Sequence, residues 1–175
     1  MHLTGVLMTL AVAATAILGN PIRRSAADII ADIQAVSDSL GDVGASLSRF
    51  SGTLPQSNDV FGAIGGSSSP IRQLHQDVNA SPPLTGADSQ DVVNVLTAQN
   101  VGWTDVIDKF VYKVDLFAKL RQKAAIASAL RIYKGNTDDL SALLAAKLDP
   151  PSSTLAAATL KDISEKLYAA INRYS

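Results

Sequence analysis

The chain lacks cysteine and is poor in the side chains on which most enzyme chemistry depends. Its 175 residues include no Cys, two His and one glutamate, Glu165. Lys and Arg number 15 against 16 Asp and Glu, which gives a net charge of −1. Without cysteine the fold cannot rely on disulfides, as many small secreted domains do. The near-neutral charge gives no sign of the concentrated basic surface that nucleic-acid binding requires.

The same scarcity argues against an active site and against a metal site. Metal sites need His, Cys or carboxylates clustered at suitable spacing, and the sequence has no such cluster. A serine nucleophile needs a base within reach, and beyond His2 the one candidate is His75. We interpret His75 as a solvated surface residue on a short helix. Asp138-Asp139 is more simply explained by a turn or a solvated face, so we expect a non-enzymatic protein with no cofactor and no metal.

The longest apolar run lies at the N-terminus, from Leu3 to Leu18, and contains the small-x-small pattern Ala14-Thr15-Ala16. Such a pattern is typical of signal-peptide cleavage. The run of about 16 residues is shorter than the roughly 20 that a membrane-spanning helix needs, so an anchor is the weaker alternative. Arg23-Arg24 then resembles a dibasic processing site. We expect residues 1–24 to be removed and residues 25–175 to form one secreted domain without a transmembrane segment.

Apolar residues recur every three or four positions through most of the remaining chain, which is the spacing of amphipathic helices. The first stripe predicts a helix from Ala26 to Arg49, with Ser25 as its N-cap. Gly41 and Gly44 lower helix propensity within it, unless they mark the close approach of a neighbour.

The second helix is predicted to be irregular because the segment is rich in Gly, Ser and Pro. One short helical piece is expected around Asp59 to Ile64. Another begins with Ser69 as cap and Pro70 at the first helical position, and ends before Pro82.

Three more helices complete the prediction. The third begins near Asp88, and the turn after it is placed between Phe117 and Gln122, because one helix from Asp88 to Leu148 would be about 90 Å long. The fourth is stopped by Asp149-Pro150-Pro151, and the fifth opens after Ser152 or Ser153. No segment has a strand pattern. The fold class expected is all-α, an antiparallel bundle of four to five amphipathic helices.

The chain resembles the fungal hydrophobic surface-binding protein A family, which includes antigenic cell-wall galactomannoproteins. The resemblance covers most of the chain after the leader and Arg23-Arg24. It is carried by the segments Ala26-Ala27-Asp28-Ile29-Ile30, Val106 to Phe117, Leu140 to Leu144 before a Pro, and Ala170-Ile171-Asn172-Arg173-Tyr174. The Gly- and Ser-rich stretch from Gly65 to Ser69 departs from the family, whose second helix is usually continuous.

The resemblance implies a secreted or wall-associated glycoprotein that binds fatty acids or other lipids, or adsorbs to hydrophobic surfaces. Cell-wall polysaccharide is a further candidate partner. A second class of function stays open, namely a helical protein-interaction module or an inhibitor of a wall enzyme. A large apolar cavity would favour lipid binding, whereas a solid core with an exposed polar ridge would favour the interaction module.

Residues on the helical stripes are either ordinary core or the lining of a cavity for an acyl chain. The apolar candidates for such a lining are Ile33, Val36, Leu40, Leu74, Leu96, Trp103, Phe110, Phe117, Leu130, Leu144, Ile163 and Leu167. Asn100 needs a hydrogen-bond partner if it is buried. Lys113 either meets a carboxylate head group or extends to solvent. Asn79-Ala80-Ser81 is a sequon that predicts N-glycosylation of Asn79 in a loop.

Overall fold

The computed structural model of the protein describes residues 24–175. The predicted signal peptide and Arg23 lie outside the described residues, and the predicted processing and domain limits stay predictions. The helices are α1 Ala26–Arg49, α2 Leu54–Ala80, α3 Ala87–Tyr112, α4 Val114–Lys119, α5 Lys123–Lys147 and α6 Pro150–Tyr174. Five are long, α4 is a short connector, and residues 24–175 contain no strand. The predicted all-α antiparallel bundle is confirmed.

The start of α1 follows the prediction because a capping box fixes it. Ser25 is the N-cap, its side chain accepts a hydrogen bond from the Asp28 amide, and Asp28 in turn accepts from the Ser25 amide. The amide of Ser25 holds the pKa of Asp28 below its usual value. These bonds satisfy amides that the first helical turn would leave without partners.

The prediction that the second helix is interrupted is wrong, since α2 runs without a break from Leu54 to Ala80 with Pro70 inside it. The glycines explain this continuity. Gly62, Gly65 and Gly66 lie on the exposed side, and a Cβ at any of them would meet nothing within 4 Å. The opposite side keeps a buried stripe through Val60, Ser67, Leu74 and Val78. Packing of that stripe outweighs the roughly 3 kcal/mol that an interior proline costs.

The chain reverses between α4 and α5, at Leu120–Gln122, inside the range that the sequence predicted. Arg121 has a positive φ of 60°, and the Gln122 amide donates to the Phe117 carbonyl at 2.9 Å. This geometry is common where helices end, although glycine usually takes the left-handed position. With no glycine or proline present, the sequence carried no strong signal for it.

The last helix begins earlier than predicted, at Pro150 rather than after Ser152 or Ser153. Asp149 is the N-cap, and its Oδ1 accepts from the Ser152 amide at 3.1 Å. The two prolines occupy the first turn, where an amide has no helical partner in any case. The feature predicted to stop the fourth helix therefore also starts the next one.

Two neighbouring carboxyl groups, the half-buried Asp32 and the buried Asp77, lie between α1 and α2. Arg24 Nε lies 2.8 Å from Asp77 Oδ1, and Gln73 Nε2 donates to the same oxygen at 2.9 Å. Asp77 is 5% exposed. Burial, followed by the neighbouring Asp77, raises the pKa of Asp32 from its ordinary 3.8 to about 6. The interface of α1 and α2 thus holds a carboxyl group that titrates in a mildly acidic range.

The five long helices surround a common core in a fixed order. α1 packs against α2 and α3, α3 packs against α6, and α6 packs against α5. Gly44 permits the close approach of α3, because a Cβ there would lie 3.2 Å from Val106 Cγ2, whereas a Cβ at Gly41 would meet nothing within 4 Å. α2 and α5 have the fewest contacts of the neighbouring pairs of long helices. We call the facing sides of α2 and α5 the seam.

None of the helices within residues 24–175 combines the length and the apolar character needed to cross a bilayer.

Candidate functional site

A cavity lies along the bundle axis and receives side chains from all five long helices. The cavity has a volume of about 60 Å³. The cavity extends along α5 from Leu130 to Leu140, which corresponds to about 15 Å of helix.

The lining is mainly aliphatic and aromatic. The apolar lining residues are Val36, Leu40, Ile71, Leu74, Trp103, Val106, Ile107, Phe110, Leu130, Leu140, Leu160, Ile163 and Leu167. Polar side chains in the lining are those of His75, Tyr133, Asn136 and Thr137. Within residues 24–175 no Lys, Arg, Asp or Glu lines the cavity. Such a lining suits an extended apolar molecule with at most a small polar end.

Packed aromatic side chains close the end of the bundle near Phe110. Phe50 and Phe117 stack with ring centroids 4.4 Å apart, and Phe117 contacts Tyr174 at 6.2 Å. The Tyr174 hydroxyl donates to the Phe110 carbonyl at 2.6 Å, and burial raises the pKa of Tyr174. This end is therefore solid core.

The seam is held by hydrogen bonds between polar side chains at its start and in its middle. The Ser57 hydroxyl donates to the side-chain carbonyl of Gln122. Farther along, the hydroxyls of Ser67 and Tyr133 lie 2.8 Å apart. Ser67 also donates to the Ile64 carbonyl at 2.8 Å, so its one hydrogen is in use and Tyr133 is the donor to Ser67.

Lys147 holds the other end of the seam. Its ammonium donates to the carbonyl of Asn79 at 2.9 Å and to that of Ser81 at 2.6 Å. Between these bonds and the Ser67–Tyr133 bond lies a half-buried stretch that lines the cavity and consists of Ile71, His75, Asn136 and Thr137. We call this stretch the mouth.

The predicted lining residues divide into two groups. Those that line the cavity are Val36, Leu40, Leu74, Trp103, Phe110, Leu130, Ile163 and Leu167. The others, Ile33, Leu96, Phe117 and Leu144, are fully buried core away from it. Both groups have the same apolar character and helical spacing, so the sequence offered no means of separating them.

The two polar candidates lie outside the lining. Lys113 Nζ donates to the Phe50 carbonyl at 2.7 Å and so caps the C-terminal end of α1 instead of facing the cavity. Asn100 Nδ2 donates to Asp162 Oδ2 at 3.3 Å, while its Oδ1 is buried without a partner among residues 24–175.

The cavity also uses residues that the sequence did not single out. The interpretation of His75 as a solvated surface residue is wrong, because it is half-buried and lines the mouth. Asn136 and Thr137 were not among the predicted lining residues, although Thr137 lies on the helical stripe that continues through Leu140 and Leu144. Their role at the mouth depends on the approach of α2 and α5.

The sequon lies at a helix end and not in a free loop. Asn79 is exposed in the last turn of α2, whereas Ser81 is 3% exposed and its hydroxyl donates to the Val78 carbonyl at 2.8 Å. Glycosylation of Asn79 stays a prediction.

The fold and the site together define a helical bundle with an apolar cavity in its core. A family model, described as hydrophobic surface binding protein A, matches residues 26–146. The chain therefore belongs to the hydrophobic surface binding protein A family. No curated protein matches it.

Solved structures share the fold at low sequence identity. AfMp4p in complex with palmitic acid superposes with a TM-score of 0.83 at 24% identity, over 86% of this chain and 99% of that one. Ligand binding domain 1 of the Penicillium marneffei MP1 protein, complexed with arachidonic acids, gives 0.80 at 12% identity over 86% and 99%. Ligand binding domain 2 of the same protein, with multiple arachidonic acids, gives 0.81 at 14% identity over 88% and 98%.

Proposed function

We propose that the protein binds a long-chain fatty acid, or a lipid with a similar acyl chain, in the cavity. The observation that carries the proposal is the cavity itself, which is apolar, elongated along the bundle and lined by every long helix. The palmitic and arachidonic acids of the structurally similar proteins support the same class of ligand.

The hydrophobic effect alone can supply a useful affinity. Burying one methylene gives about 0.8 kcal/mol, so a 16-carbon chain gains on the order of 10 kcal/mol. Association costs of at least about 4 kcal/mol leave at most about 6 kcal/mol, which corresponds to a Kd of tens of micromolar at the tightest. No charged contact is needed for this affinity, which agrees with a lining that carries no Lys or Arg within the described part of the chain.

The proposal also covers the location of the protein and whether it acts as an enzyme. We propose that the protein is secreted, that it is associated with the cell wall, and that it acts as a binder and not as an enzyme. No group of three potential metal ligands occurs in the described residues. Export is tested by N-terminal sequencing of protein from culture medium, with Ser25 as the expected first residue. A retained Met1 would contradict it.

The alternatives receive less support. A protein-interaction module or wall-enzyme inhibitor was expected to have a solid core, and this bundle has a cavity. Adsorption of the intact fold to a hydrophobic surface would need a concentrated apolar face. The exposed large apolar side chains belong to four different helices: Leu54, Val101, Tyr112, Ile132, Leu155 and Tyr168.

Two measurements test the proposed ligand. Native mass spectrometry of protein purified from its own medium should show an added mass that disappears on denaturation and matches a fatty acid. Calorimetric titration of delipidated protein with palmitic acid should show saturable binding. Protein that saturates with no long-chain fatty acid would remove cavity binding and leave adsorption as the function to test.

A further inference from the structure

The polar side chains of the cavity are concentrated on one side. His75 belongs to α2, and Tyr133, Asn136 and Thr137 belong to α5, so all four border the seam. Trp103 on α3 is the one other lining residue within residues 24–175 whose side chain carries a polar atom. A ligand with one polar end therefore meets two different surroundings, a polar seam and an apolar interior.

The two hydroxyl groups that line the cavity, those of Tyr133 and Thr137, have no hydrogen available for a ligand. Thr137 Oγ1 donates to the Tyr133 carbonyl at 2.9 Å. The Tyr133 hydroxyl donates to Ser67, whose own hydrogen goes to the Ile64 carbonyl. Because a hydroxyl carries one hydrogen, neither group can donate to a carboxylate while these bonds persist.

The side-chain N–H groups of His75 and Asn136 remain available for a ligand. Both side chains are half-buried, and neither is hydrogen-bonded to another side chain or to the backbone within residues 24–175. An amide offers two N–H groups, and an imidazole offers at least one in either protonation state. They are the donors at the mouth that a ligand can use.

The register of the seam places these two residues at the same opening. α2 and α5 run parallel, and the bonded pairs Ser57–Gln122 and Ser67–Tyr133 are offset by 65 and 66 residues. At that offset His75 lies about five residues, or roughly 8 Å, beyond the level of Asn136 along the axis. Because the helices are parallel, both side chains lean toward the same end, so this offset remains and must be spanned by the reach of the imidazole, the amide and the carboxylate between them.

We propose that His75 and Asn136 bind the carboxylate of the fatty acid at the mouth, with the acyl chain extending toward Phe110. This inference rests on the proposed function and adds the orientation of the ligand. The alternative donor, Trp103 Nε1, is buried without a partner among the described residues, on a side chain that is 7% exposed. An indole donates one hydrogen bond only, so a carboxylate there would be desolvated with little compensation. At the mouth it keeps water on its open side.

Palmitic acid and 1-hexadecanol test this orientation because they share a chain length and differ in the charged end. In the full chain, His75→Ala should weaken binding of palmitic acid by about ten- to hundredfold, the effect of a lost charge-assisted hydrogen bond. Binding of hexadecanol should change little. Asn136→Ala should show the same selectivity to a smaller degree, and His75→Gln, which restores a donor, should recover part of the loss.

Two matched variants control for general disturbance of α2 and α5. Gln76→Ala alters an exposed neighbour of His75 on α2, and Asp139→Asn alters an exposed residue one turn from Asn136 on α5. Neither should change the ratio of the acid and alcohol affinities.

Three results would overturn the inference. An equal loss of acid and alcohol in His75→Ala would mean that His75 only shapes the cavity. A selective loss of acid in Trp103→Phe, with none in His75→Ala, would place the carboxylate at the indole. A wild-type protein that binds hexadecanol but not palmitic acid would refute the carboxylate site alone, whereas one that binds neither would refute the proposed function as well.

Discussion

The interface between α1 and α3 and the seam between α2 and α5 join helices of one bundle in different ways. At the first, Gly44 lets the backbone of α1 approach Val106 and Lys109 of α3. At the seam, Ser67 and Tyr133 meet through their hydroxyls, and half-buried side chains follow on either side of the mouth. Both interfaces contribute to the cavity, since Val106 lines it as well as His75 and Asn136. The polar part of the lining lies at the seam, whereas the α1–α3 interface contributes apolar side chains.

The largest effects on stability are expected from substitutions that compare the packed aromatic end of the bundle with the cavity. Phe117 and Phe110 are both almost fully buried, but Phe117 stacks on Phe50 whereas Phe110 lines the cavity. Phe117→Ala should lower the free energy of unfolding by about 3–5 kcal/mol without reducing affinity in the folded protein. Phe110→Ala should cost less stability, since one side of the ring faces open space, and should weaken fatty-acid binding.

Denaturant unfolding and a palmitic acid titration of each variant measure both quantities. Equal losses of stability in the two variants, with no loss of affinity in Phe110→Ala, would mean that Phe110 is ordinary core.

A smaller effect on stability is expected from substitutions that enlarge a side chain in the cavity or in the packed core. Leu130 and Leu144 are fully buried on α5, and only Leu130 lines the cavity. Leu144→Phe should overpack the core and cost about 1–3 kcal/mol, while Leu130→Phe should be tolerated better and should compete with the ligand. Melting temperature and affinity for palmitic acid provide the comparison. If both variants lose the same stability and still bind palmitic acid normally, the cavity does not hold the ligand.

The interface between α2 and α1, on the side of α2 away from the seam, should make the stability of the protein depend on pH. The raised pKa of Asp32, about 6 against 3.8 in the unfolded chain, means that folding disfavours its charged form. The contribution of Asp32 to the free energy of unfolding is fully present below pH 4. It is lost as pH rises through about 6, which lowers the stability by about 1–2 kcal/mol after screening. Asp32→Asn should flatten this part of the pH profile, whereas Asp38→Asn on the exposed side of α1 should leave it unchanged. Identical slopes in both variants would contradict the assignment.

The smallest effect concerns the middle of the seam. Ser67→Ala removes the acceptor of the Tyr133 hydroxyl and should cost about 0.5–1.5 kcal/mol. Because the mouth begins at this bond, the variant should also release palmitic acid faster, which stopped-flow exchange can measure. Tyr133→Phe serves as the partner variant, and the double variant should lose little more than either alone. Additive losses would show that the two hydroxyls do not act together.

The sequence predicted the helices well where local signals and packing agree. α1 has the predicted bounds because a capping box and a continuous apolar stripe coincide. α2 was predicted to break because glycine and proline favour interruption locally, but its glycines face solvent and its buried stripe is intact. The orientation of a glycine relative to the core depends on tertiary packing, which composition does not contain.

The cavity was only partly predictable. Trp103 and Phe110 line it while Leu96 on the same stripe does not, although all three satisfy the same helical spacing. His75 was assigned to solvent because its neighbours Gln73 and Gln76 are polar. Its position at the mouth follows from the register of α2 against α5, and no local pattern specifies that register.

The way the seam is bonded has a consequence for the lifetime of the protein. If the cavity holds lipid as proposed, the acyl chain completes the contacts that α2 and α5 do not make with each other. By mass action, free lipid at a hundred times Kd adds about 2.7 kcal/mol to the folded state, more than one hydrogen bond at the seam contributes. Protein molecules without bound lipid would then unfold most often and would be the first to be cleaved by proteases. The amount of protein that survives would follow the supply of lipid.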